Sequence, residues 1–304
     1  MASNKVRLRA GRGGGPCPVS RILGRPYPWS PRARPSGSGG CQRHEPVACA
    51  GFAKRLGRSL VKPPVLVLHA PGTNRDREVA RAFELAGCEP VILTMRSLTA
   101  DPGPIASARV VVVPGGFSYG DDLGAGRVWA LQLGEATPVG RALREHAARG
   151  RTTLGICNGF QALVKAGFLG PDVTLTRNAH GRFVCDWVTL VPDPRSAAPF
   201  VRALAEPIRC PIAHGEGRLV FASDAARAGA RARGQGAFTY EENPNGSDDD
   251  LAGLTNAEGT VLGLMPHPED HVLEYHRDPR QPARGRGGSG VALFRAIADH
   301  ARQT

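Results

Sequence analysis

One stretch restricts the fold more than any other: Thr152-Thr153-Leu154-Gly155-Ile156-Cys157-Asn158-Gly159-Phe160-Gln161. An apolar, β-prone run ends on a cysteine and gives way at once to residues that read as a helix through Ala166, closed by Gly167. Turning from strand to helix at one residue forces that residue into an unfavourable backbone conformation. Its neighbours two before and two after must then lack a Cβ if the helix is to pack close. Gly155 and Gly159 hold those two positions. A cysteine placed there stands above a sheet at a helix N-terminus, where the helix dipole favours thiolate by about 0.3–1 kcal/mol. The pattern is that of a nucleophile elbow with Cys in place of Ser. A buried core cysteine is the plainer account, and it suits Cys88, Cys185 and Cys210; the paired glycines set Cys157 apart.

The surrounding sequence repeats the strand-then-helix alternation. Val65 to Ala70 is an apolar run stopped by Pro71-Gly72, and Thr73 or Asn74 is placed to cap a helix running through Ala86, ended by Gly87. Glu89 to Met95 reads as a second strand, and Arg109 to Val113 as a third, stopped by Pro114-Gly115-Gly116. A helix over Pro138 to Ala148 leads into the strand before Cys157. This order predicts an α/β fold of flavodoxin-like, doubly wound type, a mostly parallel sheet with helices on both faces. Ligands in such sheets sit beyond the carboxyl ends of the strands, where Gly115-Gly116 and Cys157 both fall. After Gly170 come shorter strands at 184–191, 208–213, 218–222 and 237–241, a further one at 260–265, and a terminal helix at 291–301 behind a Gly/Arg/Pro loop expected to be mobile.

Charge divides the chain unevenly. Residues 1–62 carry 13 Lys/Arg against one acid, Glu45, whereas residues 63–304 carry 26 of each sign. The basic excess therefore describes the first fifth of the chain and not the body, which removes the argument for a nucleic-acid partner. That segment is Gly/Pro/Arg-rich without apolar period, so 1–62 reads as a disordered tail and 63–304 as the folded domain. A transit peptide or a phosphate-binding arm is the alternative. No apolar run is long enough to span a membrane. Seven cysteines without a CxxC pair suggest free thiols in a reducing, cytoplasmic setting.

A thiolate needs a base, and the base an orienter. His267-Pro268-Glu269 follows the apolar strand ending at Met265, at another carboxyl end, and completes a Cys157–His267–Glu269 set suited to acyl transfer. A metal reading would draw on His267, His271, Glu269, Asp270 and His276; Pro268 and the missing third-ligand motif fit it poorly. Backbone N–H groups at Gly115-Gly116 and at Asn158 are placed to receive an oxyanion, each such donor being worth about 10²–10³ in rate. Asp248-Asp249-Asp250 reads as a solvated loop rather than a metal or docking site. His214-Gly215-Glu216-Gly217-Arg218 reads either as a plain turn or as lining for an ammonia exit or subunit interface.

Gly155 to Gln161, Pro114 to Asp121 (Pro-Gly-Gly-Phe-Ser-Tyr-Gly-Asp) and Pro266 to Glu269 together resemble the triad-type, class I glutamine amidotransferases. Asn178 to Trp187 and Pro211 to Arg218 narrow the likeness to the glutaminase subunits of phosphoribosylformylglycinamidine synthase, over about Val65 to His300. The resemblance implies Cys157 as nucleophile, His267 as general base and acid, and Glu269 as its orienter. It also implies that Gln161 and the Gly115-Gly116 loop hold glutamine, with Asn178 and Phe183 as further contacts. No G-x-x-x-x-G-K-[ST] motif is present, so no cofactor is expected in this chain and none of its residues is assigned to a metal. ATP and Mg are expected to serve a larger synthetase subunit that uses the ammonia, a small bridging subunit being a second partner. Asp122-Leu123-Gly124 departs from the family's usual aromatic, Leu and Arg, with Arg127 further on, and His180 stands where a serine is common.

Three other classes remain on the sequence. A thiol peptidase or deglycase on a similar sheet tends to carry His directly after the nucleophile, where this chain has Asn158. A non-catalytic module would have lost His267 or Glu269. An amidotransferase of another pathway is limited by the Arg182-to-Cys185 and Pro211-to-Arg218 segments.

Overall fold

The computed structural model describes residues 62–280 and 288–304. The basic tail expected over 1–62 lies, Lys62 apart, outside the described residues, as does the middle of the loop at 278–290.

Eleven strands and nine α-helices alternate along the described chain. The first half holds β1 (Pro64–His69), α1 (Asp76–Leu85), β2 (Glu89–Thr94), α2 (Met95–Ala100), α3 (Gly103–Ser107), β3 (Val110–Val113), α4 (Arg127–Gln132), α5 (Pro138–Ala148), β4 (Thr152–Ile156) and α6 (Asn158–Lys165). The second holds β5 (Val173–Thr176), β6 (Val184–Pro192), α7 (Pro199–Arg202), β7 (Ile208–His214), β8 (Arg218–Phe221), α8 (Asp224–Ala232), β9 (Gly236–Tyr240), β10 (Leu251–Thr255), β11 (Val261–Leu264) and α9 (Val291–Ala301).

Nine strands form one sheet in the order β2-β1-β3-β4-β11-β10-β9-β6-β7. The first five run parallel, and the remainder add on antiparallel. The parallel strands β3, β4 and β11 are buried along their whole length, which is why none alternates apolar with charged residues and β3 is valine throughout. The chain steps leftward from β1 to β2 through α1 and rightward from β3 to β4 through α5. Right-handed crossovers in opposite directions place those helices on opposite faces. Phe83 of α1 meets Phe294 of α9 edge-on, with ring centroids 5.1 Å apart.

One expectation needs correcting. Neither Thr73 nor Asn74 caps α1, whose N-cap is Arg75 with no side-chain cap bond. The hydroxyl of Thr73 instead accepts from the Ala70 N–H at 3.2 Å, and Thr73 bridges to Gly116. The turn is thus used to bring two loops together. The strand β8 pairs with β5 as a separate antiparallel two-stranded ribbon.

Candidate active site

Because β3, β4 and β11 are sheet neighbours, the loops leaving their carboxyl ends must converge. Those loops begin with Pro114-Gly115-Gly116, Cys157 and Met265-Pro266-His267. Cys157 sits between them with φ 50° and ψ −106°, buried, at the N-cap of α6. A non-glycine residue at positive φ is strained, and here the strain has a visible cause. A Cβ on Gly159 would lie 1.8 Å from the Val113 carbonyl oxygen, and one on Gly155 2.6 Å from Leu163 Cδ1. The helix therefore rests directly on two strands, and the turn at Cys157 makes up the angle. The Cys157 N–H donates to the Leu264 carbonyl at 2.8 Å, so the elbow also continues the β4–β11 ladder.

His267 reaches the thiol from β11. Its backbone N–H donates to the Pro211 carbonyl at 2.8 Å, and Pro268 starts a short 3₁₀ turn that brings Glu269 back under the ring. His267 Nδ1 and Glu269 Oε1 are 2.7 Å apart, both residues being buried. The Cys157 side chain lies beside the imidazole, close enough to raise its pKa. With Nδ1 facing the carboxylate, Nε2 is the nitrogen left for the sulfur. Burial by itself pulls the His267 pKa down. Glu269 on one side and Cys157 on the other outweigh it and raise it well above the ordinary histidine value. The ring therefore keeps a proton between two acidic partners.

The β3 loop approaches closely because it has no side chain in the way. A Cβ on Gly115 would stand 2.8 Å from His267 Cε1, and one on Gly116, at φ +142°, 2.8 Å from the Asn74 nitrogen. The segment after it is fastened by Phe117 N–H to the Gly72 carbonyl (3.0 Å) and Tyr119 N–H to the Pro71 carbonyl (2.7 Å). The side chain of Asn158 ties this loop to the elbow: its Oδ1 accepts from the Ser118 N–H at 3.0 Å and from the Ser118 hydroxyl, and its Nδ2 donates to Asp121 Oδ1 at 3.0 Å. Nδ2 donates also to Gln161 Oε1 at 3.1 Å, and Gln161 Nε2 to the Glu216 carbonyl. Both amides are spent on fastening loops. What Asn158 offers a ligand is its backbone N–H, which belongs to the first helical turn and so has no partner within the helix.

Residues 62–300 match the family described as CobB/CobQ-like glutamine amidotransferase domain. The chain belongs to this amidotransferase family. It is 41% identical over 253 residues to the phosphoribosylformylglycinamidine synthase subunit PurQ of Treponema denticola, covering 73% of this chain and 93% of that protein. The PurQ subunit of Cereibacter sphaeroides is 43% identical, with 76% and 95% covered. Among solved structures, a chain of PurLQS from Thermotoga maritima overlays with a TM-score of 0.64 at 35% identity, covering 79% of this chain and 99% of that one.

The sequence did not mark every residue that shapes the amidotransferase site. Arg75, at the N-cap of α1, donates from Nε to Asp270 Oδ2 at 3.0 Å, an ion pair beside Glu269 whose members are 195 positions apart in sequence. Burial, and then Glu269 beside it, push the Asp270 pKa up to about 6 against the pull of His267 and Arg75. His267, Glu269 and Asp270 bring ligand atoms within 4.8 Å of one another. Nδ1 is committed to Glu269 and the Asp270 carboxylate to Arg75, so the donors are taken up by each other. The other histidines of the metal reading are not in that group: His271 directs Nδ1 to the Arg209 carbonyl and meets Trp187 edge-on. Cys88, Cys157 and Cys210 are free and buried, whereas Cys185 is disulfide-bonded. The expectation of free thiols throughout fails at Cys185. No helix among the described residues is long and apolar enough to cross a membrane.

Asn178 is buried, and Phe183 is exposed at the rim over Gly215. The Asn178 amide organises the segment after β7: Nδ2 donates to the carbonyls of Arg182 (2.9 Å) and His214 (3.0 Å). Its Oδ1 accepts from the Gly217 N–H at 3.2 Å and faces His214 Nδ1 at 3.1 Å. Burial, then the charge on His267, lower the His214 pKa to about 4. Between that value and the unfolded one near 6.5, the unfolded chain binds the extra proton. Stability from this group is thus complete above about pH 6.5 and lost as pH falls towards 4, on the order of 3 kcal/mol. His214→Asn should lose correspondingly less stability than the wild type when urea midpoints at neutral pH and at about pH 4.5 are compared. Asp270, shifted upward, acts in the opposite sense, but its contribution cancels in the difference between the two proteins.

Proposed function

We propose that this amidotransferase is the glutaminase subunit of a phosphoribosylformylglycinamidine synthase, with residues 63–304 as the working unit. Supporting this is one observation above the others: a strained, buried Cys157 beside an imidazole that a buried carboxylate holds. The pathway assignment follows from the similarity to PurQ subunits over most of the chain. Cys157 Sγ attacks the side-chain carboxamide carbon of glutamine, while the N–H groups of Gly115, Gly116 and Asn158 receive the developing oxyanion. His267, which takes up the thiol proton, passes it to the leaving nitrogen, and the C–N bond breaks to give ammonia and a γ-glutamyl thioester. Water, deprotonated by His267, then attacks the thioester carbon. Glutamate leaves, and the proton returns to the sulfur. Gln161 serves glutamine binding by holding the Glu216 turn against the site.

The ammonia passes to a large synthetase subunit that uses ATP and Mg to convert formylglycinamide ribonucleotide to formylglycinamidine ribonucleotide, with a small bridging subunit in the complex, in the cytoplasm. Glutamate release with and without that synthetase, its substrate and nucleotide tests the assignment. Strong stimulation by the full set supports it; turnover indifferent to all of them points to a stand-alone thiol hydrolase. Glu269→Gln should lower kcat by roughly 10²–10⁴ with KM little changed, because the ring loses its orienting anion and its preferred tautomer.

A further inference from the structure

The end of β7 holds a group that the triad mechanism leaves unused. His214 is buried at 3% exposure, and its Nε2 is shielded from solvent with no hydrogen-bond partner among the described residues. The protonation of this ring follows from its neighbours. Asn178 Nδ2 donates to two carbonyls, so Asn178 Oδ1 is an acceptor, and His214 Nδ1 facing it must carry the hydrogen. In a neutral ring, Nε2 is then a bare lone pair, an acceptor with nothing to accept. The ring cannot swing away, because Gly217 packs flat on it: a Cβ there would lie 2.4 Å from both Nδ1 and Cε1. Its surroundings lie at the reacting centre. The preceding carbonyl, of Ala213, is 3.9 Å from Cys157 Sγ, and a charge on His267 is felt at His214. A buried acceptor left unmet costs about 1–3 kcal/mol, which a native site tolerates when a ligand supplies the donor.

We propose that His214 Nε2 accepts a hydrogen bond from the nitrogen that glutamine loses, positioning the carboxamide N–H for attack and then holding the ammonia that the same nitrogen becomes. This rests on the glutaminase reading above. Two acceptors at the end of β7, the Ala213 carbonyl and His214 Nε2, would then select an NH₂ leaving group over one without N–H donors. No covalent step is added: the bond from Cδ to nitrogen breaks as before, and His214 neither gains nor loses a proton.

The discriminating experiment compares glutamine with a γ-ester of glutamate, which lacks those N–H groups, in the full complex. His214→Asn keeps a donor for Asn178 but has no atom at Nε2, whereas His214→Gln restores an acceptor near that point. His214→Asn should lower kcat/KM for glutamine about tenfold and leave the ester unchanged, with partial recovery in His214→Gln. Equal losses on both substrates, or none on either, overturn the proposal in favour of a structural histidine. As a second measurement that needs no change at His214, nitrogen NMR of Cys157→Ala should show the Nδ1–H tautomer, with the Nε2 resonance shifting when glutamine is added. An Nε2 resonance indifferent to glutamine contradicts the proposal. Absence of glutamine hydrolysis by the wild-type complex would instead count against the parent assignment, so the two failures are separable.

Discussion

Cys157→Ala should abolish glutamine-dependent synthesis in the reconstituted complex, by at least about 10⁴-fold, while ammonium salts still support the full synthetic rate. The two halves of this result have separate causes. Without sulfur there is no atom to accept the γ-glutamyl group, and neither His267 nor the Gly115-Gly116 loop replaces a nucleophile. The fold, by contrast, has little invested in the thiol. The sulfur makes a long approach to the Ala213 carbonyl at 3.9 Å and otherwise interacts electrostatically with His267. The backbone bond from residue 157 to Leu264 survives the change. Docking to the synthetase therefore persists, and external ammonia takes the place of the internal supply. Full glutamine-dependent turnover in the variant would refute the role given to Cys157.

The second large effect is structural. Gly159→Ala should prevent correct assembly of the elbow, costing more than about 3 kcal/mol and removing glutaminase activity along with stability. The added methyl would sit 1.8 Å from the Val113 carbonyl oxygen and 3.0 Å from that of Pro114. Both obstacles are backbone, so no side-chain rotation relieves them. Lifting α6 would open its buried contacts with β4 and β11, where Phe160 fills the space left by Gly263. Thermal unfolding of Gly159→Ala beside Gly150→Ala separates backbone collision from the strain of a positive φ alone, since Gly150 has φ +76° but a Cβ there meets nothing within 4 Å. Comparable melting temperatures for the two variants would contradict the steric account.

How much of this was legible beforehand depended on whether the deciding contact is local. The strand before Cys157 and the helices at 138–148 and 291–301 lie where apolar period and Gly/Pro punctuation place them. The triad shows in sequence because each partner is flanked by its own constraint: glycines for Cys157, and a proline between His267 and Glu269. Helix α8 was missed because its buried side is made by Ala230 alone, with Ser223 accepting from the Ala226 N–H as its cap. Strand β10 was missed because Leu251 to Thr255 is short and split by Gly253. At the site, the sequence pointed to the backbone N–H of Asn158 and to Gln161, but not to the loop-fastening bonds that the side chains of both residues make. Those depend on where Ser118 and Glu216 arrive in space, and no spacing rule encodes it. The same holds for Arg75, whose carboxylate partner follows the triad almost two hundred residues on.

The central claim is that a covalent acyl group forms on one sulfur. Acid quenching the Glu269→Gln complex during glutamine turnover, followed by peptide mass spectrometry, tests it most directly. The account predicts a γ-glutamyl adduct on the peptide containing Cys157 and none on those containing Cys88 or Cys210. An adduct on another residue, or turnover with no adduct on Cys157 at any quench time, would contradict it.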